Sequence, residues 1–203
     1  KRYLQKIWAR MTGKKKSMVN VAIFASGAGS NAQKIIDTFR GHPSINIALI
    51  VCSNPLAGVL QIAAKENIPS LLIQKKRFAE EDAYLPEIQK HHIDFIVLAG
   101  FLWKVPPPLI KAYPNKITNI HPALLPNYGG KGMYGNKVHE AVIAAKEKQS
   151  GITIHLVNEE YDKGKILFQA TTPVTPDDTP DTLAQKIHLL EHTHFPQVIE
   201  AYL

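Results

Sequence analysis

Val19-Asn20-Val21-Ala22-Ile23-Phe24-Ala25 runs straight into Ser26-Gly27-Ala28-Gly29-Ser30-Asn31, and Ile35, Ile36 and Phe39 follow at helical spacing. The first seven residues are mostly apolar and partly β-branched, as in a strand buried on both faces. Two glycines then mark a tight turn, and the apolar period changes from that of a strand to that of a helix over residues 31–39. Strand, glycine turn and helix make the opening unit of an α/β fold.

The rhythm repeats downstream. Residues 45–51 read as a second strand, ended by Asn54-Pro55, with a helix over 58–66 and a short strand over 70–73. A helix over 80–90 precedes the wholly apolar stretch 95–99, which predicts a central strand. A proline-rich bend at 106–108 leads to a short helical turn and a fifth strand over 116–120. Such alternation predicts a doubly wound, mostly parallel sheet. After His121 the pattern changes. A loop with Gly129, Gly130, Gly132 and Gly135 leads to a helix near 138–148. Strands over 152–157 and 166–171 then flank an acidic turn suited to antiparallel pairing. A long last helix starts near Asp178, with Thr179-Pro180 at its head, and runs through Ile199 with a disturbance expected at Pro196.

Composition narrows the function classes. The chain has 203 residues, 45% hydrophobic and 20% charged, ordinary for a globular protein with a sizeable core. Its net charge of +7 invites a nucleic-acid reading, but the charge is localised. Residues 1–17 hold Lys1, Arg2, Lys6, Arg10, Lys14, Lys15 and Lys16 and no acid. Removing those seven from 24 leaves 17 basic against 17 acidic residues, a neutral body. The extension reads as an RNA- or membrane-surface arm, a transit peptide or a solubilising tail; it lacks the apolar core of a secretory signal. No apolar run approaches the ~20 residues of a membrane span. The single Cys52 excludes an internal disulfide, fits a reducing cytoplasm and reads as a buried thiol.

Chemistry concentrates at Ile117-Thr118-Asn119-Ile120-His121-Pro122. Asn119 and His121 are two apart, so a strand points both to one face. An amide donor beside an imidazole can stabilise an oxyanion and move a proton. A carboxylate such as Asp162, in the later Tyr161-Asp162-Lys163-Gly164, would orient the ring and raise its pKa. The alternative is a strand end whose polar groups satisfy loop backbone. The Ser26–Asn31 turn suits an anion, because glycines admit close backbone approach and a helix N-terminus favours negative charge. It lacks the lysine of a Walker loop, and Ala32 stands where a dinucleotide fingerprint has its third glycine, so a dinucleotide site stays open. His188-Leu189-Leu190-Glu191-His192 formally matches an inverted zinc-protease motif, without any other protease feature.

Taken in order, Leu98-Ala99-Gly100-Phe101, Asn119-Ile120-His121-Pro122-Ala123-Leu124-Leu125-Pro126, Gly151-Ile152-Thr153-Ile154-His155 and Asp162-Lys163-Gly164 resemble the folate-dependent formyltransferases. The resemblance runs from about Val19 to the C-terminus. It implies a Rossmann-like formyltransferase fold, with a phosphate-binding half over about 18–118 and a catalytic half over about 119–203, behind the basic extension 1–17. It also implies 10-formyltetrahydrofolate as co-substrate, no metal, and Asn119, His121 and Asp162 as the catalytic set with His155 in support. Leu102, Trp103, Lys104 and Val105, together with Asn119, become the folate-binding edge. The Ser26–Asn31 segment is similar to members that formylate glycinamide ribonucleotide. Gly29, Ser30 and Asn31 would then hold its 5′-phosphate, and Glu191 its ribose or glycinamide part. His188 and His192 become surface or packing residues, and His42, His91, His92 and His139 are expected in solvent. The chain departs from the family at Glu81, where an arginine is usual; Lys76 or Arg77 are candidate replacements. Small-molecule partners, no nucleic acid, no membrane and a cytoplasmic location follow. Relatives acting on tRNA usually add a C-terminal RNA-binding domain, and deformylases an N-terminal regulatory one, for which this chain has no room. A related formyltetrahydrofolate-using enzyme and a non-catalytic nucleotide- or folate-binding module are the other readings.

Overall fold

A computed structural model of the chain describes residues 17–203. The basic extension therefore lies, apart from Ser17, outside the described residues. Seven strands form one sheet: β1 (Val19–Ala25), β2 (Ile45–Cys52), β3 (Ser70–Leu72), β4 (Phe95–Leu98), β5 (Ile117–His121), β6 (Gln149–Leu156) and β7 (Ile166–Pro173). The helices are α1 (Ser30–Phe39), α2 (Gly58–Lys65), α3 (Lys75–Glu80), α4 (Leu85–Lys90), α5 (Pro107–Ala112), α6 (Asn136–Ala144) and α7 (Pro180–Tyr202). Strand order is β3-β2-β1-β4-β5-β6-β7. The first five run parallel, and β6 and β7 are antiparallel additions at one side. This is the doubly wound, mostly parallel sheet that the alternation predicts.

Side-chain alternation in β1 builds both cores. Val21, Ile23 and Ala25 face one layer with Ile35, Phe39, Val59, Leu183 and Phe195 from α1, α2 and α7. Ala22 and Phe24 face the other with Phe78, Ile88 and Leu109 from α3, α4 and α5. Residues 21–25 are fully buried, at about 1.5–3 kcal/mol for each large apolar side chain removed from water. Crossovers leave β1 toward β2 and β4 toward β5 in opposite directions. The loops at the carboxyl ends of β1 and β4 therefore part, and a crevice opens where a doubly wound sheet binds ligands.

Three expectations need correction. The helix over 80–90 is two short helices, α3 and α4. Asp82 accepts hydrogen bonds from Arg77 and from the Tyr84 N–H, while Ala83 and Tyr84 take left-handed backbone, so the chain turns between them. The helix near 138–148 ends at Ala144, because Lys146 is left-handed (φ 53°) and the chain enters β6 at Gln149. Pro196 does not break α7. Thr179 and Thr182 exchange side-chain-to-backbone hydrogen bonds that cap its start.

Candidate active site

The carboxyl ends of β1, β4 and β5, the 130–135 loop, the β6–β7 loop and one face of α7 enclose a cavity of about 700 Å³. Antiparallel register puts Asn119 directly opposite His155, and His121 opposite Thr153. All four side chains therefore share one face of the sheet. Asn119 Nδ2 lies 3.1 Å from His155 Nε2. His155 Nδ1 donates to the Leu156 carbonyl at 2.9 Å. In the neutral ring Nε2 then accepts from the amide, which leaves Asn119 a second N–H for a ligand.

Asp162 arrives from the β6–β7 loop. Its Oδ1 is 3.5 Å from His155 Nε2 and its Oδ2 3.8 Å from His121 Nδ1. The Gly130 N–H donates to Oδ2 at 2.8 Å. The approach depends on Gly164, where a Cβ would lie 1.6 Å from the Leu156 carbonyl oxygen. On its other edge, His121 Nε2 donates to the Tyr128 carbonyl at 2.7 Å. That bond fixes one proton on Nε2, so a second would add at Nδ1, facing Asp162.

The electrostatics differ from expectation in one respect. Burial pushes the His121 pKa below its ordinary 6.5, and the Asp162 charge and Tyr128 bond offset that only partly. His121 is 3% exposed, and desolvation of the charged ring outweighs a carboxylate that is not in direct hydrogen-bond contact. The expected net rise is therefore a net fall. Burial would raise Asp162, but the neighbouring His155 and His121 rings and the bond from the Gly130 N–H outweigh it, holding its pKa below 3.8.

The glycine turn lies at the other end of the cavity. Gly29 starts α1 with φ 87°, and a Cβ there would sit 2.9 Å from Val59 Cβ and Ile62 Cδ1. No side chain caps α1, so its first N–H groups remain available to an anion. Asn31 donates to Glu191 Oε2 at 2.9 Å, and His188 Nδ1 bonds the same oxygen at 2.9 Å. That bond raises the His188 pKa. Ser26 ties the turn to the loop after β4, since its N–H donates to the Gly100 carbonyl and its hydroxyl accepts from the Leu102 N–H. Trp103 packs on Phe78 and Phe101, and Lys104 Nζ lies 5.4 Å from the Tyr161 ring centre. Leu102, Trp103, Lys104 and Val105 all line the cavity.

Comparison with known proteins decides the family. A model of the formyl transferase family matches residues 19–199. The chain belongs to the formyl transferase family. Among its relatives is the chloroplastic phosphoribosylglycinamide formyltransferase of Arabidopsis thaliana, 41% identical over 187 residues, or 89% of this chain. The chain spans only 64% of that protein's length. The phosphoribosylglycinamide formyltransferase of Bacillus subtilis is 36% identical, with 92% of this chain and 95% of the relative covered. The crystal structure of phosphoribosylglycinamide formyltransferase from Bacillus halodurans superposes with a TM-score of 0.83 at 35% identity, covering 91% and 95%.

Of the sequence-based expectations for the site, the one for His139 fails. Arg77 is held by Asp82 and Glu87 at 2.7–2.9 Å and lies over the Tyr84 ring, and neither it nor Lys76 lines the cavity. His139 is not in solvent; it is 4% exposed and lines the cavity. His188 and His192 are ring neighbours on α7, and His188 also lines the cavity. The Tyr128 carbonyl, the Gly130 N–H and the Thr153 hydroxyl carried no sequence signal. Thr153 donates to the Ala123 carbonyl and accepts from Leu125 N–H and Gln169, anchoring the loop that follows His121. Among the described residues no His, Cys, Asp and Glu grouping could hold a metal ion, and no helix is long and apolar enough to cross a membrane.

Proposed function

We propose that this chain transfers the formyl group of 10-formyltetrahydrofolate to the amine of glycinamide ribonucleotide. The observation that carries the reading is the convergence of Asn119, His121 and Asp162 in the cavity whose far end is the uncapped start of α1. An N-formyl group is already an activated donor and the acceptor amine is the nucleophile. The reaction therefore needs oxyanion stabilisation and a proton transfer. The amine attacks the formyl carbon and the carbonyl π electrons move to oxygen. The free Asn119 N–H donates to that oxyanion, and protonated His121 supplies positive charge beside it. The proton held between His121 and Asp162 passes to the departing folate nitrogen as the C–N bond breaks. The attacking nitrogen returns one to the pair.

In this reading Gly29, Ser30 and Asn31 bind the 5′-phosphate and Glu191 the ribose or glycinamide part. Leu102, Trp103, Lys104 and Val105 hold the folate, and His155 orients Asn119. Residues 18–203 act as one domain on small molecules, since their 17 basic and 17 acidic residues give no electrostatic footprint for nucleic acid. A cytoplasmic location is supported by the single, buried Cys52. The test is steady-state turnover of glycinamide ribonucleotide with 10-formyltetrahydrofolate. Saturable formylation is expected. No formylation of this acceptor, or formylation of aminoacyl-tRNA in its place, overturns the reading.

A further inference from the structure

His139 lies on α6, which packs against α7. It is 4% exposed, and neither ring nitrogen hydrogen-bonds another described residue. Nδ1 is fully enclosed and without a partner, whereas Nε2 is not among the enclosed atoms. A buried N–H left unpaired is rarer than an unpaired acceptor. The favoured tautomer is therefore neutral, with a bare Nδ1 inside and the proton on Nε2. Burial lowers the pKa of the ring, which keeps it neutral. The charges of Glu191, His188 and His121 all act on this ring. His139 lines the same cavity as Glu191 and His188 at its one end and His121 at the other. Glu191 is 5% exposed; Asn31 and His188 both occupy its Oε2, and among the described residues nothing donates to Oε1. The wall here offers one fixed donor and one fixed acceptor. An amide carries the complementary pair, a carbonyl oxygen and an N–H; a hydroxyl donates or accepts equally well and needs neither fixed.

We propose that His139 is a specificity-determining residue that donates its Nε2–H to the amide carbonyl of the acceptor, while Glu191 Oε1 receives the amide N–H. The proposal rests on the glycinamide ribonucleotide reading. It distinguishes an acceptor with an amide link from a bare sugar phosphate, because only the former satisfies both groups. A ring that merely packs would affect neither ligand selectively.

Calorimetric titration of the folate-free protein with glycinamide ribonucleotide and with ribose 5-phosphate tests it. His139→Leu is expected to weaken glycinamide ribonucleotide about tenfold, the scale of one lost hydrogen bond with its partner left unpaired, and to leave ribose 5-phosphate unchanged. His139→Gln keeps a donor and should stay within about threefold of wild type. An acceptor analogue whose amide carbonyl is reduced to a methylene probes the same bond in the unaltered protein, and about tenfold weaker binding is expected. Equal affinity for that analogue, equal weakening of both ligands by His139→Leu, or a His139→Gln as weak as His139→Leu overturns the proposal. Wild type that fails to bind glycinamide ribonucleotide overturns the acceptor assignment and this inference with it. Wild type that binds it while His139→Leu binds equally overturns the inference alone.

Discussion

Asp162 takes a left-handed backbone, φ 56°, which costs a non-glycine residue roughly 1–2 kcal/mol. In return its carboxylate reaches two imidazoles and a backbone N–H at once. His121 already titrates below 6.5 because burial outweighs Asp162. Asp162→Asn removes the opposing charge, so the His121 pKa should fall further. Less acid form then remains at pH 7, the descending limb of the rate profile should move to lower pH, and turnover should drop at least about tenfold. Steady-state kinetics across about pH 5.5–9 would show this; an unmoved profile with near-wild-type turnover would remove Asp162 from the mechanism. Asn119→Ala deletes the side-chain amide proposed as donor to the oxyanion. Loss of such a donor costs roughly 10²–10³ in kcat elsewhere, so a loss of that size is expected here, with KM for the formyl folate changing far less. A KM effect that matches or exceeds the kcat effect would make Asn119 a folate-binding group instead.

The hairpin of β6 and β7 delivers Asp162, and its geometry hangs on Gly164. Adding a methyl 1.6 Å from a strand carbonyl forces that loop to move. Gly164→Ala should therefore lose turnover steeply while phosphate-end binding, read with ribose 5-phosphate, stays near wild type. Retained turnover would mean that the loop adapts without displacing Asp162. On the sheet side, Thr153→Val keeps shape but leaves the Ala123 carbonyl and Leu125 N–H without their hydroxyl partner. A destabilisation of about 1–3 kcal/mol is expected, visible in urea unfolding midpoints. These elements differ in how legible they were. β1, α1 and β4 follow from local period, because strands buried on both faces read as continuous apolar runs. The split between α3 and α4 was hidden, since it depends on Arg77 meeting Asp82 and Glu87 in three dimensions. Asn119 and His121 showed themselves by spacing within one strand. His139 did not, because its burial is created only when α6 packs on α7.

Two neutral histidines, His121 and His139, buried inside an otherwise charge-balanced body give the protein a direction of pH sensitivity. Burial lowers both pKa values in the folded state, and on unfolding each ring returns to about 6.5. Between 6.5 and the lower folded values the unfolded chain binds protons that the folded chain refuses, so stability falls as pH drops through that window. Above about 6.5 neither ring contributes to the slope. Each site can supply a slope of at most about 1.4 kcal/mol per pH unit. His188 acts oppositely. Its pKa is raised by Glu191, so its contribution is complete below about 6.5 and is lost as pH rises through the folded value; its side chain is 55% exposed, and solvent screening keeps that term small. Asp162, held below 3.8, loses its contribution only at far lower pH. Wild type should therefore be steadiest near neutrality and weaken on mild acidification. His139→Gln removes one buried imidazole while keeping an N–H for the acceptor. Urea unfolding at about pH 5, 6 and 7 should show a shallower acid decline in His139→Gln than in wild type, by up to about 2 kcal/mol across that span. An identical decline in both would mean that His139 takes up its proton as readily folded as unfolded, and the neutral donor assigned to it at the acceptor end of the cavity would fall.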